Sequence, residues 1–265
     1  MIVVIRSELV RLRRRGILLG WSGLSVLVAI LINFVMFQVV KQGATPAASG
    51  PGVTFPAAAQ LLSSHGIVSG LAAASSFFGV TALAFWAIAA ASDYSTGLIR
   101  VIVAAEPRRW RLIAGKWVAL AVLTAAATLV ALLVNLLTAP IAASAGHYSP
   151  HAWGHDLFPV VLGATVNLYL ALLIWGTLGL ALAVISRSAG VAIGVGVGYV
   201  LLLEPVIKAA VKPAGDWLPG TTISAIAHGG TASLAYASSL GLGLAYIAVA
   251  SAASFAVTGH RDITE

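Results

Sequence analysis

Long apolar stretches separated by short polar segments set the pattern of this chain. Six of them reach the ~20 residues that cross the hydrocarbon core of a bilayer as a helix: residues 16–40, 67–91, 117–143, 157–185, 190–211 and 235–258. The longest are expected to tilt or kink, for instance at Pro140 and Pro159. Glu204 and Pro205 interrupt the fifth, which is the weakest of the six. The connections differ in character. Residues 42–56 are rich in Gly, Pro, Ala and Ser, and residues 147–156 are short and polar. Residues 212–233 carry Pro, Gly and Trp with moderate apolarity, which suits short helices dipping partly into the membrane. No internal repeat and no second soluble domain is legible.

Ahead of the first span, Ile2, Ile5, Leu9 and Leu12 fall within roughly 60° of one another on a helix of 3.6 residues per turn. Ser7, Glu8, Arg11, Arg14 and Arg15 take the far side. Residues 1–15 are therefore expected as an interfacial helix lying flat on the membrane, its arginines reaching anionic lipid, the alternative being an ordinary basic flank that anchors the first span. Between the second and third spans, Asp93 or Ser95 is expected to cap a short helix beginning near Thr96. Pro107 ends it, and a second amphipathic piece leads into the third span. Such a slung helix suits docking onto a partner, and equally a solvated loop. The fold class expected is an all-α polytopic membrane protein. It has an interfacial segment (1–15) and a six-helix transmembrane domain (16–265).

Composition strengthens this picture. Hydrophobic residues make up 60% and charged residues 9%, against roughly 25% charged in a soluble domain. One soluble core of this size could not hide that much apolar surface. The net charge of +7 invites a nucleic-acid reading, but the bases flank apolar runs and fit anionic lipid instead. With the amino terminus in the cytoplasm, the inner segments hold Arg6, Arg11, Arg13, Arg14, Arg15, Arg100, Arg108, Arg109, Arg111, Lys116, Arg187 and Arg261. The outer segments hold Lys41, Lys208 and Lys212, and this split of twelve to three orients the spans with both termini inside. The run 16–40 exceeds a leader's apolar core of about 7–15 residues, although Ala47-Ala48-Ser49 resembles a cleavage site. With no cysteine, disulfides and thiolate sites are excluded.

Few residues suggest chemistry of their own. His147, His151 and His155, with Asp156, recur every four residues and would line one helical face as a metal site, but Pro150 and Gly154 oppose a continuous helix. Glu204 lies four residues before Lys208, as a functional carboxylate or a local ion pair. Asn33, Asn135 and Asn167 are polar positions within spans, suited to hydrogen bonds between helices or to lining a pathway. Gly190, Gly194, Gly196 and Gly198 are expected to serve close helix packing rather than a dinucleotide. No phosphate-binding Gly-x-x-x-x-Gly-Lys-Ser/Thr loop occurs. Nor is there a Ser/His/Asp set or carboxylate pair placed for catalysis.

The loop after the second span resembles the acidic–Tyr–x–x–Gly–x–x–Arg segment, followed by Pro–x–Arg and Gly–Lys, of bacterial ABC-2-type ATP-binding-cassette permeases. The matching positions are Asp93, Tyr94, Gly97, Arg100, Pro107, Arg109, Gly115 and Lys116. The likeness extends to Glu8 and the leading arginines, Ser186-Arg187-Ser188-Ala189-Gly190, Leu218-Pro219-Gly220 and Arg261-Asp262-Ile263-Thr264. Thr96 precedes Gly97 where many members have the reverse order. The resemblance implies that two permeases, identical or related, pair around a pathway above two ATP-binding subunits. ATP and magnesium would sit on those partners and no cofactor on this chain, which is not itself an enzyme. It implies an elbow role for residues 1–15 and a coupling helix after the second span, with docking carried by Asp93, Tyr94, Gly97 and Arg100. Export from the cell of a small molecule, lipid or peptide is the commoner direction in that family. An ion-gradient-driven transporter, a membrane enzyme using the outer histidines, and a scaffold are the alternatives.

Overall fold

The computed structural model describes residues 2–12, 15–40, 55–105, 108–211 and 215–260. Every regular element among them is helical. In chain order these are α1 (Ile2–Leu12), α2 (Arg15–Val39), α3 (Ala58–Leu62), α4 (Ser69–Ala73), α5 (Ser75–Ser95), α6 (Leu98–Ala105) and α7 (Arg109–Ala145). There follow α8 (Leu157–Ser186), α9 (Ala189–Gly198), α10 (Glu204–Ala210), α11 (Pro219–Ala227) and α12 (Tyr236–His260). Six stretches are long and apolar enough to cross a membrane: Leu19–Val39, Ser75–Ser95, Trp110–Ala145, Leu157–Ser186, Ala189–Ala210 and Tyr236–Gly259. The protein is an all-α, multi-pass membrane protein.

The fourth span is the axis of the bundle. Its apolar window is 72% buried, whereas those of the fifth and sixth spans are 17% buried and turn most of their surface outward. Tryptophans and glycines explain why α5 and α8 lie so close. A Cβ on Gly79 would collide with the Trp175 ring, one on Gly176 with the Trp86 ring, and one on Gly179 with the Leu83 carbonyl. Small residues thus let two backbones meet, as helices packed in lipid require. Two indole N–H groups tie spans together: Trp86 Nε1 donates to Thr124 Oγ1 (3.0 Å) and Trp117 Nε1 to Thr177 Oγ1 (2.9 Å).

Three spans differ from their expected outlines. The second begins with a 3₁₀ turn (Ser64–Val68) and the separate α4 before α5. At this break Asn135 Nδ2 donates to Ile67 O (2.7 Å), giving the carbonyl a partner from another span. The third starts at Arg109 rather than 117, and its helix continues through Pro140. Pro159 falls in the first turn of α8, where its missing N–H interrupts no helical bond. In the fifth, the backbone widens into a π turn (Tyr199–Leu203) in which Glu204 N–H donates to Tyr199 O. Pro205 cannot donate to the preceding turn, so the interruption expected there is a widening within one continuous span.

The non-basic end is closed by side chains. Tyr148 OH donates to Val40 O (2.5 Å), and burial pushes this phenol above its ordinary pKa. Trp153 Nε1 donates to Leu61 O (2.9 Å) beside Phe37. The short helix expected between the fifth and sixth spans is α11, packed against α8 and α12.

Candidate functional site

Of the sequence elements that resemble the permease family, Glu8, Arg11, Asp93, Gly115 and Lys116 meet at the basic end of the bundle, whereas Gly220 lies against Glu204. The second span does not stop at 91. It runs on as α5 to Ser95, closed by Thr96 and by Gly97, whose φ of +68° is the left-handed conformation glycine adopts most readily. Asp93 is therefore inside the helix, not its cap, and α6 begins at Leu98 rather than near Thr96. On the neighbouring span Lys116 lies two turns into α7. Gly115 beside it lets α1 press against α7, since a Cβ there would stand 2.6 Å from Val4 Cγ1.

These placements close a ring of four alternating charges. Arg11 pairs with Glu8 Oε1 at 2.6 Å and with Asp93 Oδ1. Lys116 Nζ reaches Glu8 Oε2 at 2.9 Å, Asp93 Oδ2 at 2.8 Å and the Ala89 carbonyl at 3.2 Å. Glu8, Asp93 and Lys116 are 4–5% exposed. All four carboxylate oxygens have a cationic partner, which is what buried charge requires to persist. A cavity of about 70 Å³ separates the ring from Thr96 and Leu98 at the start of α6.

Two expectations are corrected here. Glu8 was placed on the polar outer side of the leading helix, but α1 turns it inward toward Lys116, and the apolar Val10 is exposed instead. The same rotation buries Leu12 of the apolar stripe, with Leu9 packed against the core, so the stripe and the ion pairs share the inward face. The resemblance assigns Asp93 to docking, whereas its carboxylate is buried and spent on Arg11 and Lys116 within the bundle. Tyr94 is half-buried and Gly97 exposed at the α5–α6 junction. Arg14 and Pro107 lie outside the described residues, as do the side chains of Arg15, Arg100 and Arg109. The sequence pattern contains Lys116 but assigns it no role. A lysine inside the apolar run Ile113–Val118 was the available signal that a buried acid awaited it.

The remaining candidates fall elsewhere. Asn33 and Asn135 are fully buried and bonded to each other, Asn33 Nδ2 donating to Asn135 Oδ1 at 3.0 Å, and so join the first and third spans. Asn167 accepts from the Tyr236 hydroxyl at 2.5 Å. Glu204, 2% exposed, pairs with Lys208 at 3.0 Å and also receives Gly220 N–H at 2.9 Å and Thr221 Oγ1 at 3.2 Å. It thereby caps α11, and Gly220 is where the carboxylate approaches, since a Cβ would collide with it. His147, His151 and His155 are each exposed along a turn and a 3₁₀ segment (His151–Gly154), not on one helical face. Among the described residues no three His, Asp or Glu side chains converge to hold a metal. Of the four glycines in the fifth span, Gly196 makes the close approach, against Leu83. No curated protein matches the sequence. A protein family does match it over residues 26–264, from the middle of the first span to the end, and the chain belongs to that family, DUF2705, whose function is unknown.

Proposed function

We propose that this chain is the membrane-spanning subunit of an ABC-2-type ATP-binding-cassette transporter in the cell membrane, exporting a hydrophobic or amphipathic compound. The four-charge ring carries this reading. It fastens the interfacial helix α1 to the inner ends of two spans at the point from which α6 is suspended. A push on α6 from below would then reach α1, α5 and α7 as one body rather than dissipate in a loose loop. That is the mechanical need of a subunit whose ATP is hydrolysed elsewhere. Asp93 serves here as a positioning residue behind the docking surface, which Tyr94, Gly97 and Arg100 offer at the loop. The basic end is the cytoplasmic side, in keeping with the concentration of arginine there.

The test is to purify the chain from its host and to assay transport in vesicles. An ATP-binding protein is expected to accompany it, and substrate movement is expected to stop without ATP. Replacing Asp93 by Asn is expected to leave ATP turnover while reducing transport. Transport by the chain alone, driven by an ion gradient, would overturn the proposal.

A further inference from the structure

A larger cavity lies at the opposite end of the bundle from the charge ring. Its volume is about 220 Å³. Missing side chains open it, because a Cβ on Gly163 would meet nothing within 4 Å, and Ala72 and Ala164 form adjacent wall. The walls come from three separate elements: the broken start of the second span, the outer turns of α8, and the end of α11. There the chain turns back through Gly229 and Gly230, at φ of +75° and +108°.

The polar groups on these walls are Gln60, His65, Ser69, Asn167 and His228, and among the described residues no carboxylate lines the space. Asn167 has its carbonyl occupied by Tyr236 at 2.5 Å, so its amide hydrogens remain to donate. They lie toward the cavity wall, with Nδ2 3.5 Å from where a Gly229 Cβ would stand. His228 Nδ1 is 2.8 Å from the Ser224 carbonyl. A carbonyl only accepts, so Nδ1 carries a proton, and Nε2 can donate to a ligand only when the ring is an imidazolium. Val68 and Val160 give the rest of the wall an apolar character. Amide donors and imidazolium rings complement an oxyanion, and the apolar wall complements a short tail. The volume is below the usual ligand pocket of about 300–1,000 Å³, so the ligand is small.

We propose that this cavity binds a small amphipathic anion, a carboxylate or phosphate monoester on a short alkyl body. Asn167 donates its amide hydrogens to the anionic oxygens, and His65 and His228 donate to them as imidazolium rings. The site belongs to this chain alone and stands independently of any ATPase partner, so its failure and that of the transport reading are separable. The experiment uses the purified full-length chain in lipid nanodiscs, with hexanoate, hexyl phosphate, hexanol and hexylamine followed by saturation-transfer NMR. One or both anions are expected to bind saturably, and the neutral and cationic analogues are expected not to; which anion binds tells carboxylate from phosphate. Gly163→Phe fills the open space and is expected to abolish binding. Asn167→Leu removes a donor to charge and is expected to weaken binding about tenfold or more. Equal binding of hexanol or hexylamine overturns the proposal, as does failure of both anions to bind. So does hexanoate binding that survives both variants, Asn167→Leu serving alone should Gly163→Phe not fold.

Discussion

Swapping one pair of charges tests whether the ring acts as a unit. Around it the order is Glu8, Arg11, Asp93, Lys116, so each residue touches two of opposite sign. Exchanging Glu8 and Lys116 keeps their own pairing but sets a lysine against Arg11 and a glutamate against Asp93. Independent pairs would tolerate the exchange. In a ring it is expected to be at least as damaging as Lys116→Met, which strands two buried carboxylates with a single shared cation. Breaking a buried pair costs about 3–5 kcal/mol, or a fall of roughly 6–20 °C in thermal midpoint for a chain of this size. Thermal unfolding in detergent of the two variants beside the natural chain decides between the views.

At the level of elements, glycines say which helix contacts are fixed. Gly179→Ala drives a methyl into the Leu83 backbone, which has no rotamer to give, whereas Gly163→Ala meets open space. The first is expected to lower the thermal midpoint, by the equivalent of about 1–3 kcal/mol of overpacking, and the second to leave it unchanged. Glu204→Gln is expected to loosen α11, because the helix loses a charged acceptor for Gly220 and Thr221. A hydrogen bond to a charged group contributes about 1.5–3 kcal/mol. Amide exchange across Pro219–Ala227 should then quicken roughly tenfold or more if opening is local. The spans themselves were legible because apolar length is a local property, and so was the short helix between the last two. Asp93 and Lys116 were not, for a physical reason. Whether an acid near a helix end faces solvent or a buried lysine depends on where the helix stops and how far two spans slide past each other. Neither is written in the neighbouring residues. The outer cavity was invisible on the same grounds, being made by Gly163, Ala164 and Ala72 from different spans.

Viewed as a whole molecule, the protein can be mapped in a membrane with little preparation. It contains no cysteine, so single cysteines introduced at exposed positions report one side at a time. Ser7 and Ser95 belong to the ring end, Ser149 and Ser233 to the other, and all four are exposed. A membrane-impermeant thiol reagent added to intact cells is expected to label Ser149→Cys and Ser233→Cys and to spare Ser7→Cys and Ser95→Cys. The opposite pattern would invert the protein and with it the assignment of α6 to the cytoplasm. The π turn in the fifth span carries a different kind of information. Where a helix widens to hold i→i+5 bonds, it contains one residue more than a regular helix covering the same distance. Tyr199–Leu203 is thus a stored insertion, and Pro205 keeps it from being ironed out. Removing Leu202 together with Pro205→Ala should restore an ordinary helix with Glu204 still facing Gly220. The chain is thus expected to tolerate a change of one residue in length at this place without the bundle changing shape.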